Sequence, residues 1–180
     1  SEVNIDITGK SAHAASYQEG CDALETACRY LCDLYAMERQ IDPAEYRLLR
    51  FGVLRSGSIR NVVSDHARLE GTMRACRDEI YDHMRDQLDA IARRYAPAQF
   101  AFSFSEGYPA LVNMPQIVDQ ALQAIPDMIL LDDPQLITED FSWYLQHVPG
   151  MFMFLGTGTG IPLHSDHFDF DEHILMRGIE

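Results

Sequence analysis

A chain of 180 residues, 47% of them hydrophobic and with a formal net charge of −14, holds enough apolar material for one good core or two small ones. That acidity argues against nucleic acid or an anionic membrane as partner, because a phosphate-binding surface needs a basic patch and none stands out. No apolar run reaches bilayer length, no leader opens the chain, and four clustered cysteines (Cys21, Cys28, Cys32, Cys76) are too few for a disulfide framework, so a reducing, cytoplasmic setting is expected.

The chain opens inside a strand, with Val3, Ile5 and Ile7 alternating against polar residues. CDALETACRYLCDLYAMERQ spaces Cys21, Leu24, Cys28, Leu31 and Tyr35 by three and four, predicting an amphipathic helix with that stripe as its apolar face. YRLLRFGVLRSG and ARLEGTMRAC read as strands joined by a loop around Gly57–Asp65. DEIYDHMRDQLDAIARRYA is a second such helix, with Ile80, Met84, Leu88, Ile91 and Tyr95 on one face and Asp78 as N-cap. Phe100, Phe102 and Phe104 then alternate as in a half-buried strand. The order β-α-β-β-α-β predicts an α+β, ferredoxin-like sandwich over residues 1–106, one sheet face covered by two helices.

Residues 107–180 read differently. MPQIVDQALQAI is a helix with Pro115 in its first turn, and TEDFSWYLQHV another with Thr138 as N-cap. MFMFLG is an apolar run of the kind found in a strand buried on both faces. The loop TGTGIPLHSDHF leads to a last helix that Asp169 and Glu172 would open as an Asp variant of the capping box. So few strands cannot close a core, and both chain ends read as cut. This half is expected to lean on a sheet supplied from outside the chain.

Taken singly, the polar constellations are weak. Cys28 and Cys32 lie one helical turn apart, but a thiolate metal site would want more ligands; they read as small apolar side chains in a helix–sheet seam. GTGTG at 156–160 lacks the Lys-Ser/Thr of a phosphate loop, and Ser165 sits in no nucleophile elbow. His13 follows the first strand, Asn61 lies in a loop, and Arg74 ends a strand. An arginine is a natural bidentate partner for a carboxylate, and an asparagine for an adjacent carbonyl. His164 and His167 flank Asp166 in a loop, where one of them acting as a single ligand of a distributed metal site is easier geometrically than a compact centre.

GKSAHAA, SIRNVVSDHARLEGTMR, TEDFSWYLQHVPGMFMFLG and PLHSDHFDFDEHIL, in this order, together resemble the zinc-dependent amidohydrolases of the aminoacylase/carboxypeptidase class. The nearest branch is that of the N-acyl-amino-acid amidohydrolases, which includes hippurate hydrolase and N-acetyldiaminopimelate deacetylase. The resemblance implies a lid or dimerisation domain at 1–106 and an incomplete C-terminal segment of a split α/β catalytic domain at 107–180. It implies a homodimer formed through the lid, a small N-acyl amino acid as substrate, and two zinc ions whose other ligands lie outside this chain. His164 then stands for the last metal ligand, and His167 for a variable position. His13 is the lid histidine that reaches the partner's site and stabilises the oxyanion, a catalytic role. Asn61 and Arg74 hold the substrate's amide and carboxylate, Gly158 in GTGTG borders the substrate pocket, and Glu139 and Asp140 cap and pack a helix nearby. The isolated chain is expected to be inactive. The other reading is a non-catalytic dimerisation module of the same fold, which has no need to keep His13, Asn61, Arg74 and His164 together.

Overall fold

The computed structural model describes residues 1–179. Alternation at the start of the chain becomes β1 (Glu2–Thr8), with Val3, Ile5 and Ile7 fully buried. β2 (Arg47–Ser56), β3 (His66–Ala75) and β4 (Gln99–Phe104) complete an antiparallel sheet of order β2-β3-β1-β4. Two helices, α1 (Ala23–Glu38) and α2 (Asp78–Ala92), pack against the sheet's apolar face around Leu49, Leu69 and Met73. The β-α-β-β-α-β order is the one the sequence predicts. Gly52 is an extra residue in β2: Phe51 pairs with Gly71 and Val53 with Glu70, which sets Leu54 opposite Leu69.

Asp22 caps α1, its carboxylate accepting the N–H groups of Leu24 (2.9 Å) and Glu25 (3.2 Å). The buried stripe is Ala23, Ala27, Tyr30, Leu34 and Met37, not the predicted Cys21–Tyr35 stripe. Cys28 and Cys32 are exposed, so their expected place in a helix–sheet seam is wrong. Both stripes have helical spacing, and periodicity cannot rank them. The small Ala23 and Ala27 let the helix approach the sheet, and the Tyr30 hydroxyl donates to the Leu88 carbonyl of α2 (2.9 Å). In α2, Met84, Leu88 and Ile91 are buried and Ile80 packs against the core, as does Tyr95 in the 3-10 turn (Arg93–Tyr95) that follows, as predicted. Asp78 is not the cap; Arg77 holds that place without a side-chain bond, and Asp78 joins Glu79 in the first turn, where the helix dipole favours both.

Beyond β4 the chain forms α3 (Pro115–Ala124), begun by Pro115 as expected, and two short helices, α4 (Phe141–Leu145) and α5 (Ile174–Ile179). Thr138 does not cap α4; the Glu139 carboxylate accepts from Phe141 N–H (3.3 Å). Asp169 and Glu172 do not open α5; the Asp171 carboxylate accepts from His173 N–H (3.0 Å). MFMFLG is not a buried strand. It has no ladder partner among the described residues; the Asn113 side chain donates to the Phe152 carbonyl (3.0 Å) and accepts from Phe152 N–H (2.8 Å), and the Phe141 ring packs against that of Phe152. Met153, Phe154 and Leu155 stay exposed.

Candidate functional site

The chain after β1 is stitched to the β2–β3 connection. At Gly9 the backbone passes so close to Cys21 that a Cβ there would clash with the Cys21 carbonyl oxygen. Its N–H donates to Asp65 O (2.8 Å), and Lys10 and Cys21 exchange two backbone bonds (2.9 and 2.8 Å). Val63 N–H then donates to Ala12 O (2.8 Å) and Ala14 N–H to Asn61 O (2.9 Å), so His13 and Asn61 become neighbours. His13 Nδ1 accepts the Ala15 N–H (3.1 Å), opening a 3-10 turn at Ala14–Glu19. An accepting Nδ1 leaves the proton of the neutral ring on Nε2, so the exposed imidazole presents an outward donor. A concavity of about 580 Å³ adjoins this loop pair, lined by Ser11, Arg55, Ser58, Ile59, Val62 and His66 among others.

Arg74 lies at the opposite end of the sheet. From His66, beside the His13 loop, to Arg74 is eight residues of β3, about 27 Å of strand. Its Nη1 donates to the Leu136 carbonyl (2.6 Å), and its Nε is buried without a partner. With Glu2, Asn4, Leu48, Arg50 and Thr72 it lines a second concavity of about 460 Å³ on the sheet face away from the helices. On that same face Asp6, Arg68, Glu70 and Arg55 form a continuous ion-pair row. The structure therefore brings His13 and Asn61 together and holds Arg74 apart from both.

Gly158 is exposed and left-handed (φ 71°), in the loop that precedes His164. His164 is exposed, in a turn closed by Ser165 N–H donating to Pro162 O (2.9 Å). Among the described residues no three His, Cys, Asp or Glu side chains converge to hold a metal, and one imidazole does not make a centre. The chain by itself does not fit a metal pair. His167 leans on Asp166 (3.6 Å). The bonds from the His173 backbone N–H and ring hold the Asp171 carboxyl below its ordinary range.

Residues 1–99 match the profile of the M20 peptidase dimerisation domain. The chain belongs to that family. It is 30% identical over 188 residues to N-acetyldiaminopimelate deacetylase of Lacticaseibacillus casei, an alignment covering 99% of this chain and 49% of that protein. To thermostable carboxypeptidase 2 of Saccharolobus solfataricus it is 30% identical over 186 residues, 97% of this chain and 47% of that one. A dinuclear metal binding peptidase of the M20 family from Bacillus subtilis shares the fold at TM-score 0.71 and 23% identity, over 98% of this chain and 46% of its own. A crystal structure from methicillin-resistant Staphylococcus aureus does so at TM-score 0.82 and 21% identity, over 98% and 49%. The chain thus spans about half the length of the curated relatives it matches.

This M20 dimerisation domain leaves β2 as an edge strand. Beside that edge runs the stripe of α1 that the sequence suggested was core: Tyr35 accepts the Phe51 N–H (3.2 Å) and carries the Arg50 guanidinium over its ring, with Leu24, Cys28 and Leu31 on the same flank. Sequence reading missed two things here. It took the exposed flank of α1 beside β2 for the core stripe, and it had no signal for the Leu136 carbonyl on Arg74, because a backbone acceptor leaves no mark in composition.

Proposed function

We propose that this chain is the lid (1–106) and part of the returning catalytic segment (107–180) of a metal-dependent amidohydrolase that hydrolyses N-acyl amino acids as a homodimer. The observation that carries this reading is the separation of His13 and Asn61 from Arg74 by the length of β3. No small substrate bridges about 27 Å, so the two groups serve different sites. A two-fold axis at the edge of β2 resolves this. Pairing β2 with its copy antiparallel extends the sheet to eight strands, and the end bearing His13 and Asn61 in one protomer then falls beside the end bearing Arg74 in the other.

Two features favour the β2 edge over β4. The α1 flank beside β2 is apolar, through Leu24, Leu31 and Tyr35, whereas β4 lies beside the charged side of α2, with Arg85 over the Phe104 ring. The flank also reaches the edge itself, because the Tyr35 hydroxyl accepts the Phe51 N–H of β2 (3.2 Å).

In this reading the Nε2–H of His13 donates to the oxygen that gains charge at the scissile carbonyl, and the amide of Asn61 orients the substrate beside it. Arg74 of the other protomer takes the substrate's carboxylate, and the loop of Gly158 borders the pocket. His164 supplies one imidazole to a metal whose remaining ligands come from other segments, and so the isolated chain is inactive.

The test uses the full-length protein that carries this segment. His13→Ala and Arg74→Ala protomers, each inactive alone, recover N-acyl amino acid hydrolysis when mixed and reassembled, because every mixed dimer rebuilds one intact site. Mixed dimers that stay silent beside an active parent overturn the shared-site reading.

A further inference from the structure

An edge strand presents unpaired backbone groups that any other strand could join, and β2 is such an edge. Its middle, however, is occupied. The Phe51 N–H points away from β3 and donates to the Tyr35 hydroxyl of α1 (3.2 Å). Backbone groups two residues apart on a strand face the same way, so the Leu49 carbonyl also points outward. Arg50 Nη1 donates to that carbonyl (2.6 Å) and to the Glu38 carboxylate (2.9 Å), while its guanidinium lies 5.3 Å from the centroid of the Tyr35 ring. Glu38 is buried and Arg50 is exposed, so the cluster is anchored on the helix and open to solvent at its outer end. Leu49 and Phe51 are successive rungs of the edge, and Tyr35 and Arg50 take one backbone group on each. A second strand cannot bond both rungs while the cluster stands.

Resting on the seam proposed above, we infer that Tyr35, Arg50 and Glu38 form a plug that closes the free edge of β2 in the single subunit and releases it when a second copy of β2 pairs there. Opening the plug strands no charge. Arg50 makes both bonds through Nη1 alone, so it can drop the Leu49 carbonyl and keep Glu38, and the Tyr35 hydroxyl is solvated instead. The occupant is a second copy of this chain because residues 1–99 match a dimerisation domain. A copy also brings the same outward backbone groups, which replace the lost bonds on both sides of the seam. A stray strand meets a blocked edge, and the unpaired subunit is thereby protected from edge-to-edge aggregation.

The test uses the full-length protein that carries this segment. Dilution of fluorescently labelled subunits gives the dimer Kd, and hydrogen exchange compares β2 in dilute and concentrated protein. Tyr35→Phe removes only the hydroxyl and should tighten the dimer on the order of tenfold, because each dimer opens two plugs and each opening then breaks one hydrogen bond fewer. Glu38→Gln/Arg50→Gln leaves no orphan charge and adds no apolar surface, and it should shift Kd in the same direction. A dimer that protects β2 but whose Kd is unchanged or weakened in either variant overturns the plug alone. A protein that stays monomeric when concentrated, or that protects β4 instead of β2 on associating, overturns the seam and the plug together.

Discussion

Residues 1–104 and 107–179 have comparable apolar content and opposite fates. In the first, Val3, Ile5, Tyr30, Leu69 and Leu88 share one core across the sheet and both helices. In the second, Ile129 is 81% and Leu163 72% exposed, and no residue joins that core. The difference lies in pairing rather than composition. Four strands that find each other give two helices a surface to cover, while an apolar run such as MFMFLG with no ladder partner among the described residues stays uncovered. The two halves still touch where it matters, through the Arg74 guanidinium on the Leu136 carbonyl and the Tyr46 hydroxyl on Asp133.

The contrast is broken most directly by one truncation in each region. Leu69→Ala, in a fully buried side chain, should cost about 2–5 kcal/mol in urea unfolding followed by circular dichroism. Leu130→Ala, at a side chain 63% exposed, should stay within about 0.5 kcal/mol, and equal costs would show that the second region has a core of its own. Next in size is Gly9→Ala. Its new Cβ would meet the Cys21 carbonyl, part of a backbone that cannot swing aside, and a loss of about 1–3 kcal/mol by thermal melting is expected. Because Gly9 starts the loop that carries His13, the same variant should also slow the hydrolysis proposed for the full-length protein.

The smallest effect is a pH dependence confined to the first region. Burial, then the hydrogen bond to Asp33 (2.9 Å), pushes the Tyr95 phenol up to about 12 from its ordinary 10. A folded-state value above the unfolded one gives stability that is complete below pH 10 and is lost as pH rises through about 12. The circular dichroism melt should therefore weaken across that window, and Tyr95→Phe should flatten the onset of the decline. Fluorescence of Trp143, the chain's single tryptophan and a residue of the second region, should not follow it.

Much of the first region was legible because its cues are local. Alternation marked Val3, Ile5 and Ile7, helical spacing marked Met84, Leu88 and Ile91, and their order along the chain named the sandwich. The N-caps were harder, since Arg77 and Asp78 differ by one position and only the dihedral angles separate them. The second region was misread where a local pattern needs a distant partner: MFMFLG has the composition of a strand, but a strand is made by its neighbour.

The candidate site divides the same way. His13, Asn61, Arg74, Gly158 and His164 were named through the resemblance of their motifs to a known family, since residue type alone left each of them weak. Their distribution was not. Backbone bonds between two loops put His13 beside Asn61, the length of one strand put Arg74 at the far end, and two equally spaced stripes on α1 were told apart only when the sheet buried one of them. Residue chemistry and periodicity are properties of a segment. Proximity, and the choice of which face is buried, belong to the folded chain as a whole.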